Sequence, residues 1–221
     1  MVGLFLLLFF RYYDIINSTN LNLSNWFAPH QRKNMNWEVS YMFDYECHFD
    51  AYCKKEGLDV CLSFDMPSGY ENANGIFDIT TKTVFINKTN LDNVPDYEKL
   101  FYLFHELRHA EQYLAPNNFD YAIKKSLQYV IMFDGTCYKL IDGVYHQCKL
   151  DGEEDYLVNL YLGQPYEVDA NTFAYEHTKS IYGDSEPLSK LYEFWIPHYP
   201  MSNDVYDSVF SLIDAKIIVE S

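Results

Sequence analysis

Residues 104–109 read FHELRH and contain the pattern His-Glu-x-x-His, with His105 and His109 four residues apart. Side chains at this spacing lie on one face of an α-helix, so both imidazoles can reach a single metal ion. Glu106, next to the first histidine, can take a proton from a water that the metal activates. The stretch therefore predicts a helix that carries a metal site with an acid beside it.

The sequence around this pattern predicts a helix that begins at Pro95 and ends near Leu114. Proline is favoured in the first turn, and the carboxylates of Asp96 and Glu98 interact favourably with the positive end of the helix dipole. Leucine recurs at helical spacing, at Leu100, Leu103, Leu107 and Leu114. One face of this helix is therefore expected to be buried, and Pro116 lies just beyond its end.

Two runs of β-branched and aromatic residues precede this helix. They read IFDIT at residues 76–80 and TVFIN at residues 83–87, and Thr81 and Lys82 separate them. Such runs around a two-residue connection predict a β-hairpin, although the turn lacks the glycine that these hairpins favour. We therefore expect a small β-structure immediately before the metal-binding helix.

Further helices are predicted after residue 116. Apolar residues recur at helical spacing at Ile123, Leu127, Val130 and Ile131. Residues 135–155 are rich in turn-forming residues and give no clear element. Another helix is expected from Pro165 to Gly183, and short helices are expected around residues 188–194 and 204–213.

This order of elements, a hairpin or small sheet followed by helices, predicts an α+β fold. The 221 residues contain no repeat or long linker, so one domain is expected over residues 1–221. We place its catalytic core at residues 75–183. Residues 1–40 form an N-terminal segment in which the sequence defines no element.

A catalytic zinc site usually has three protein ligands, and residues 110–118 contain no third histidine. Glu167 is the best candidate, because the helix predicted from Pro165 places it on one face with Ala170, Asn171 and Ala174. The two alanines permit a close approach to the histidine-bearing helix, and Asn171 can orient a ligand histidine from behind. Glu176 lies on the opposite face of the same helix.

These two motifs resemble those of the gluzincin metallopeptidases, which pair His-Glu-x-x-His with a glutamate on a later helix. The segment Glu167-Val168-Asp169-Ala170-Asn171-Thr172-Phe173-Ala174 is most similar to the ligand helix of the ImmA/IrrE-type family. The resemblance implies a zincin-like fold and a protein or peptide substrate. It also implies that the strand before the helix, with Val84, Phe85 and Ile86, forms an exposed edge that pairs with substrate.

On this interpretation His105, His109 and Glu167 bind one Zn²⁺ per chain, and Glu106 is the catalytic base. Peptide hydrolysis also needs a donor for the negative charge that develops on the carbonyl oxygen. The candidates for this donor are Tyr145, His146 and His177.

Three alternatives stay open from the sequence. The chain is either an active peptidase, a zinc hydrolase of non-peptide amides, or a catalytically inactive zincin-like module that binds metal or protein. The presence of Glu106 argues against the inactive module, because a structural metal site needs no base. A second, structural zinc site could be formed by Cys47, His48, Cys53 and Cys61, although their spacing matches no zinc-finger pattern.

The formal net charge of −16 disfavours nucleic acid as a partner, because phosphate contacts require clustered lysine and arginine. An apolar run from Leu4 to Phe10 is too short to span a bilayer, which needs about 20 apolar residues. A core element is favoured over membrane contact for this run. With no recognisable signal peptide, a cytoplasmic protein is expected.

Overall fold

The computed structural model of the chain describes residues 43–220. Helix α1 (Tyr45–Glu56) is followed by strands β1 (Cys61–Ser63), β2 (Gly75–Asp78) and β3 (Thr83–Ile86), the short helix α2 (Lys88–Leu91) and the long helix α3 (Asp96–Leu114). Then come α4 (Tyr121–Ser126), β4 (Tyr129–Ile131), β5 (Thr136–Ile141), β6 (Val144–Lys149), α5 (Glu154–Leu162), α6 (Pro165–Tyr182), α7 (Glu186–Phe194) and α8 (Asn203–Glu220). The α+β class is confirmed.

The predicted hairpin is present, but its position in the sheet differs from the prediction. Strand β3 pairs with β2 on one side in antiparallel fashion and with β1 on the other in parallel fashion. Val84, Phe85 and Ile86 therefore lie on the central strand, and the prediction that they form an exposed edge is wrong. Local sequence did not reveal β1, because its three residues pair with residues 22 positions further along the chain (Cys61 with Thr83).

Helix α3 occupies the predicted segment, with Pro95 as its N-cap. Its apolar side chains join the largest core cluster, together with those of the sheet and of α6. The helix also buries polar side chains, namely His105, Glu106, His109 and Gln112. Burial of so many polar groups is unfavourable unless they have partners or a function, so this face of α3 marks the site.

A second sheet of three antiparallel strands, in the order β4-β5-β6, follows α4. The helix predicted from Ile123 to Ile131 is therefore too long, since α4 ends at Ser126 and Val130 lies in β4. The misassignment has a physical reason. Residues 129–132 are all buried, and a short continuous apolar run has no period that separates strand from helix.

The β5–β6 hairpin carries a turn signal in residues 140–145, which read LIDGVY. Asp142 and Gly143 connect the strands with φ angles of 49° and 78°. Positive φ at both central positions is typical of the two-residue type I′ turn, for which Asp-Gly is a preferred sequence. This signal identifies the hairpin within a region where the sequence analysis assigned no element.

Helix α6 runs over the predicted range and ends at Tyr182, with Gly183 as its C-cap. Its contact with α3 is the most extensive contact between any two elements in the described part of the chain. Ala170 and Ala174 are fully buried, so their small side chains allow the two helices to lie close together. Helices α7 and α8 are also present where short helices were predicted, but α8 extends further than expected, to Glu220.

None of the helices in the described part of the chain is both long enough and apolar enough to cross a membrane. The apolar run from Leu4 to Phe10, like the rest of the predicted N-terminal segment, lies outside the described residues.

Candidate metal centre

Three side chains from α3 and α6 converge on one point. The Nε2 atoms of His105 and His109 are 2.9 Å apart, and Oε2 of Glu167 lies 3.6 Å from each of them. All three residues are at most 2% exposed. Within residues 43–220 this is the one group of three or more His, Cys, Asp or Glu side chains that could hold a metal ion.

The hydrogen bonds of Gln112 determine which nitrogen of His109 carries the proton. Nε2 of Gln112 donates to the backbone oxygen of Tyr166 and to Oδ2 of Asp169, both at 2.8 Å. Both partners are acceptors only, so the Gln112 amide cannot be flipped. Its Oε1 therefore accepts from Nδ1 of His109, 2.8 Å away. In the neutral ring, Nε2 then presents its lone pair to the group.

Asn171 acts on His105 in a similar way. Its Nδ2 donates to the backbone oxygen of Trp195 at 2.9 Å, which fixes the orientation of the amide. Burial lowers the pKa of His105, and a hydrogen bond with the Asn171 side chain opposes this effect by favouring the protonated ring. Asn171, predicted to orient a ligand histidine, lies against His105.

The donor set therefore fits a metal ion. Two imidazole nitrogens and a carboxylate oxygen face one another in the protein interior, and a cation between them would take a lone pair from each. A tetrahedral zinc with bonds of about 2.0–2.2 Å sets its ligand atoms about 3.3 Å apart. The observed separations of 2.9 and 3.6 Å lie on either side of that value.

Burial and mutual charge determine the titration of the two histidines. Burial lowers the pKa of His105 well below its usual value, and the nearby His109 lowers it further. Burial also opposes a charge on His109, but the carboxylate of Glu167 outweighs it and raises the pKa of His109 to about 9. The negative charge of Glu167 thus favours a cation at this point.

Glu106 lies beside the triad and against strand β2. Its carboxyl is 1% exposed, and burial raises its pKa to about 8. The backbone of Phe77 donates a hydrogen bond to it, whereas its Oε1 has no partner among the described residues. A Cβ atom added to Gly75 would lie 2.7 Å from Cγ and 2.9 Å from Oε1 of Glu106. Glycine at this position thus makes room for the acid.

The three candidates for the oxyanion donor have different environments. His177 stacks on Phe173 with ring centroids 3.8 Å apart, within an aromatic cluster that also contains Phe104. His146 is the cross-strand partner of Lys139, whose ammonium group bonds to Asp214 of α8, so it lies on the α8 face of the hairpin.

Tyr145 lies on the opposite face of that hairpin, because side chains alternate along a strand. Burial raises the pKa of two tyrosines near it, Tyr113 and Tyr166, and the nearby groups Glu167 and Tyr145 raise it further. The hydroxyls of Tyr113 and Tyr166 have no hydrogen-bond partner within the described residues. They are further candidates for the oxyanion donor. No sequence pattern distinguishes these two tyrosines from the many others in the chain.

Protein-family models, curated proteins and solved structures were compared with this chain, and none of them matches it.

The four residues proposed for a second zinc do not form a metal-binding group. Cys47 and Cys61 are exposed, and His48 stacks on Phe43 with ring centroids 5.3 Å apart. The two fully buried cysteines lie elsewhere, on neighbouring strands of the second sheet, and have reduced thiols.

Two residues that shape the site, Gly75 and Gln112, were not predicted from the sequence. Gln112 follows His109 by three residues, and this spacing on a helix places the two side chains next to each other. The sequence therefore contains a local signal for the contact between His109 and Gln112. No local pattern indicates the role of Gly75, since it depends on the position of Glu106, 31 residues later in the chain.

Proposed function

We propose that this protein is a zinc-dependent peptidase of the gluzincin type, with a zincin-like fold. The observation that carries the proposal is the convergence of His105, His109 and Glu167 with a second acid, Glu106, buried next to them. A zinc ion held by the triad would polarise a scissile carbonyl and lower the pKa of a reacting water. A site that only stabilises the fold does not require this second acid.

Glu106 is the general base of the proposed reaction. Burial raises the pKa of its carboxyl from the usual value towards neutrality, and a general base with a pKa in that range can accept a proton and release it again. It takes the proton of the attacking water and later delivers it to the nitrogen of the leaving amine. The Phe77 backbone and the space above Gly75 hold the carboxyl in place for both transfers.

The proposed substrate is an extended polypeptide that pairs with β2. The Asn87 N–H bonds to the Asn74 carbonyl, and alternate residues of an antiparallel strand bond to the same neighbour. Ile76 therefore faces β3, whereas the backbone groups of Gly75 and Phe77 point away from it, towards Glu106. A peptide added at this edge would place its backbone beside the base.

A second candidate function is a non-catalytic metal-binding module. The burial of the site favours it, because structural metal sites are closed whereas catalytic sites keep an open position. All four residues of β2 and all four acidic and imidazole groups of the site are buried. Catalysis on a polypeptide therefore requires a movement that exposes β2 and the site.

Metal analysis of the protein, purified without chelator, tests the first step of both functions. We expect one zinc per chain, because the described residues contain one complete ligand set. The double variant His105→Ala/His109→Ala should contain none, whereas His198→Ala, at an exposed position, should retain it. Protein without any transition metal would contradict both functions. Two tightly held zincs would contradict the single site.

Gly75→Ala tests whether the contact between β2 and Glu106 positions the base. A Cβ at this position would lie 2.7 Å from Cγ of Glu106, so the carboxyl must shift. A misplacement near 1 Å lowers activity by up to about a hundredfold, and we expect a loss of this order with zinc still bound. The measurement is the cleavage rate of a fluorogenic peptide that the wild-type protein hydrolyses.

Gly152→Ala is the matched control for Gly75→Ala, because Gly152 is an exposed glycine whose neighbours are Tyr156 and Leu157. It should cleave the same peptide at the wild-type rate. Full activity of Gly75→Ala would show that Glu106 does not depend on this contact.

A further inference from the structure

A continuous chain of hydrogen bonds leads from His109 to the surface of the α3–α6 pair. His109 donates through Nδ1 to Oε1 of Gln112 at 2.8 Å, and Gln112 donates to Oδ2 of Asp169 at 2.8 Å. The same Oδ2 accepts from Nε of Arg108 at 2.7 Å, and Oδ1 accepts from Nη2 of Arg108 at 3.1 Å. None of these residues is a member of the triad except His109.

Further contacts hold the residues of this hydrogen-bonded series in place. The guanidinium of Arg108 lies between the rings of Phe119 and Phe173, at 4.6 and 4.5 Å from their centroids. The guanidinium stacks on these rings and donates two hydrogen bonds to Asp169. It therefore fixes the orientation of the Asp169 carboxylate. Gln112 is fully buried.

Gln112 also bonds to the Tyr166 backbone, one residue before Glu167. The amide therefore connects the His109 ring on α3 with the segment of α6 that carries the third ligand. A displacement of Gln112 would disturb the orientation of the imidazole and the spacing between His109 and Glu167 together.

We propose that Gln112, supported by Asp169 and Arg108, is a positioning residue that commits His109 to bind metal through Nε2 and sets its distance from Glu167. The inference rests on the proposed function. It assigns to Arg108 and Asp169 a role beyond a surface ion pair, because their contact fixes the Gln112 amide in the orientation that accepts from Nδ1. An amide in the opposite orientation would place its oxygen against two acceptors.

The test is Gln112→Met, which keeps the length of the side chain and removes both its donor and its acceptor. We expect the zinc affinity of the folded protein, measured by competition with a chromogenic chelator, to fall about 10- to 100-fold, as for the loss of other groups that orient metal ligands. Tyr192→Phe is the control. It removes a hydrogen bond between α6 and α7, to Thr172, but leaves His109 untouched, so its zinc affinity should equal that of the wild type.

The thermal unfolding of the metal-free variants separates positioning from plain stabilisation. If Gln112 only joins the two helices, Gln112→Met unfolds at a lower temperature but binds zinc as tightly as the wild type once folded. That result would overturn the proposal. A wild-type protein without zinc would instead contradict the proposed function itself.

A second measurement covers the case in which Gln112→Met does not fold. Long-range ¹⁵N NMR of the zinc-loaded wild-type protein distinguishes the two ring nitrogens of His109. We expect the proton on Nδ1 and the metal on Nε2, and the reverse assignment would overturn the proposal.

Discussion

The variant Glu106→Gln is expected to bind zinc like the wild-type protein and to hydrolyse peptides at least about a hundredfold more slowly. Glutamine has nearly the shape of glutamate, so it fits the space above Gly75 and can still accept from the Phe77 backbone. It cannot take up the proton of the attacking water. The three proposed metal ligands are unchanged, so we expect the rate of hydrolysis to fall while zinc affinity stays the same.

Two measurements on the same preparation are needed for Glu106→Gln. Zinc content is determined first, and cleavage of a pooled library of fluorogenic peptides is then followed by mass spectrometry. Glu176→Gln, which removes an exposed carboxylate from α6, is the control and should match the wild type in both. Unchanged cleavage by Glu106→Gln would assign the proton transfer to another group. A wild-type protein that binds zinc but cleaves no member of the library would favour the non-catalytic module.

The elements that the sequence predicted well are those whose signals are local. Helix α3 has a proline and two acids at its start and leucines at helical spacing, and α6 has Pro165 at one end and Gly183 at the other. The histidine pair of the candidate metal site followed from the same rules, because His105 and His109 lie one turn apart on α3. Periodicity within a single helix was sufficient for this pair, whereas the position of Glu167 also depends on the packing of α6 against α3.

The features that the sequence did not predict depend on contacts between distant segments. Whether β3 is an edge or a central strand depends on β1, a strand of three residues with no alternation of its own. The role of Gly75 depends on a carboxyl from α3 that lies against it. The second sheet is an intermediate case, since Asp142-Gly143 indicates its hairpin locally but the buried run in β4 does not separate strand from helix.

The largest effect on metal binding is expected from Glu167→Ala. The side chain supplies the third donor of the triad, with Oε2 at 3.6 Å from both histidine nitrogens. Its removal leaves two imidazoles, too few for the three protein ligands of a catalytic zinc site. We expect zinc affinity to fall by more than about a hundredfold, beyond the loss expected for a residue that only orients a ligand. The zinc affinity is measured by competition with a chromogenic chelator.

Glu176→Ala is the matched control, because Glu176 belongs to the same helix but is exposed, whereas Glu167 is 2% exposed. Ala170 and Ala174 explain this difference. They are fully buried where α6 meets α3, and a rotation of α6 that brought Glu176 to the metal would turn these small residues out of the contact. Glu176→Ala should therefore bind zinc like the wild type. Tight zinc binding by folded Glu167→Ala, with loss in Glu176→Ala, would show that α6 presents its other face to the histidines and would contradict the proposal of a gluzincin-type site.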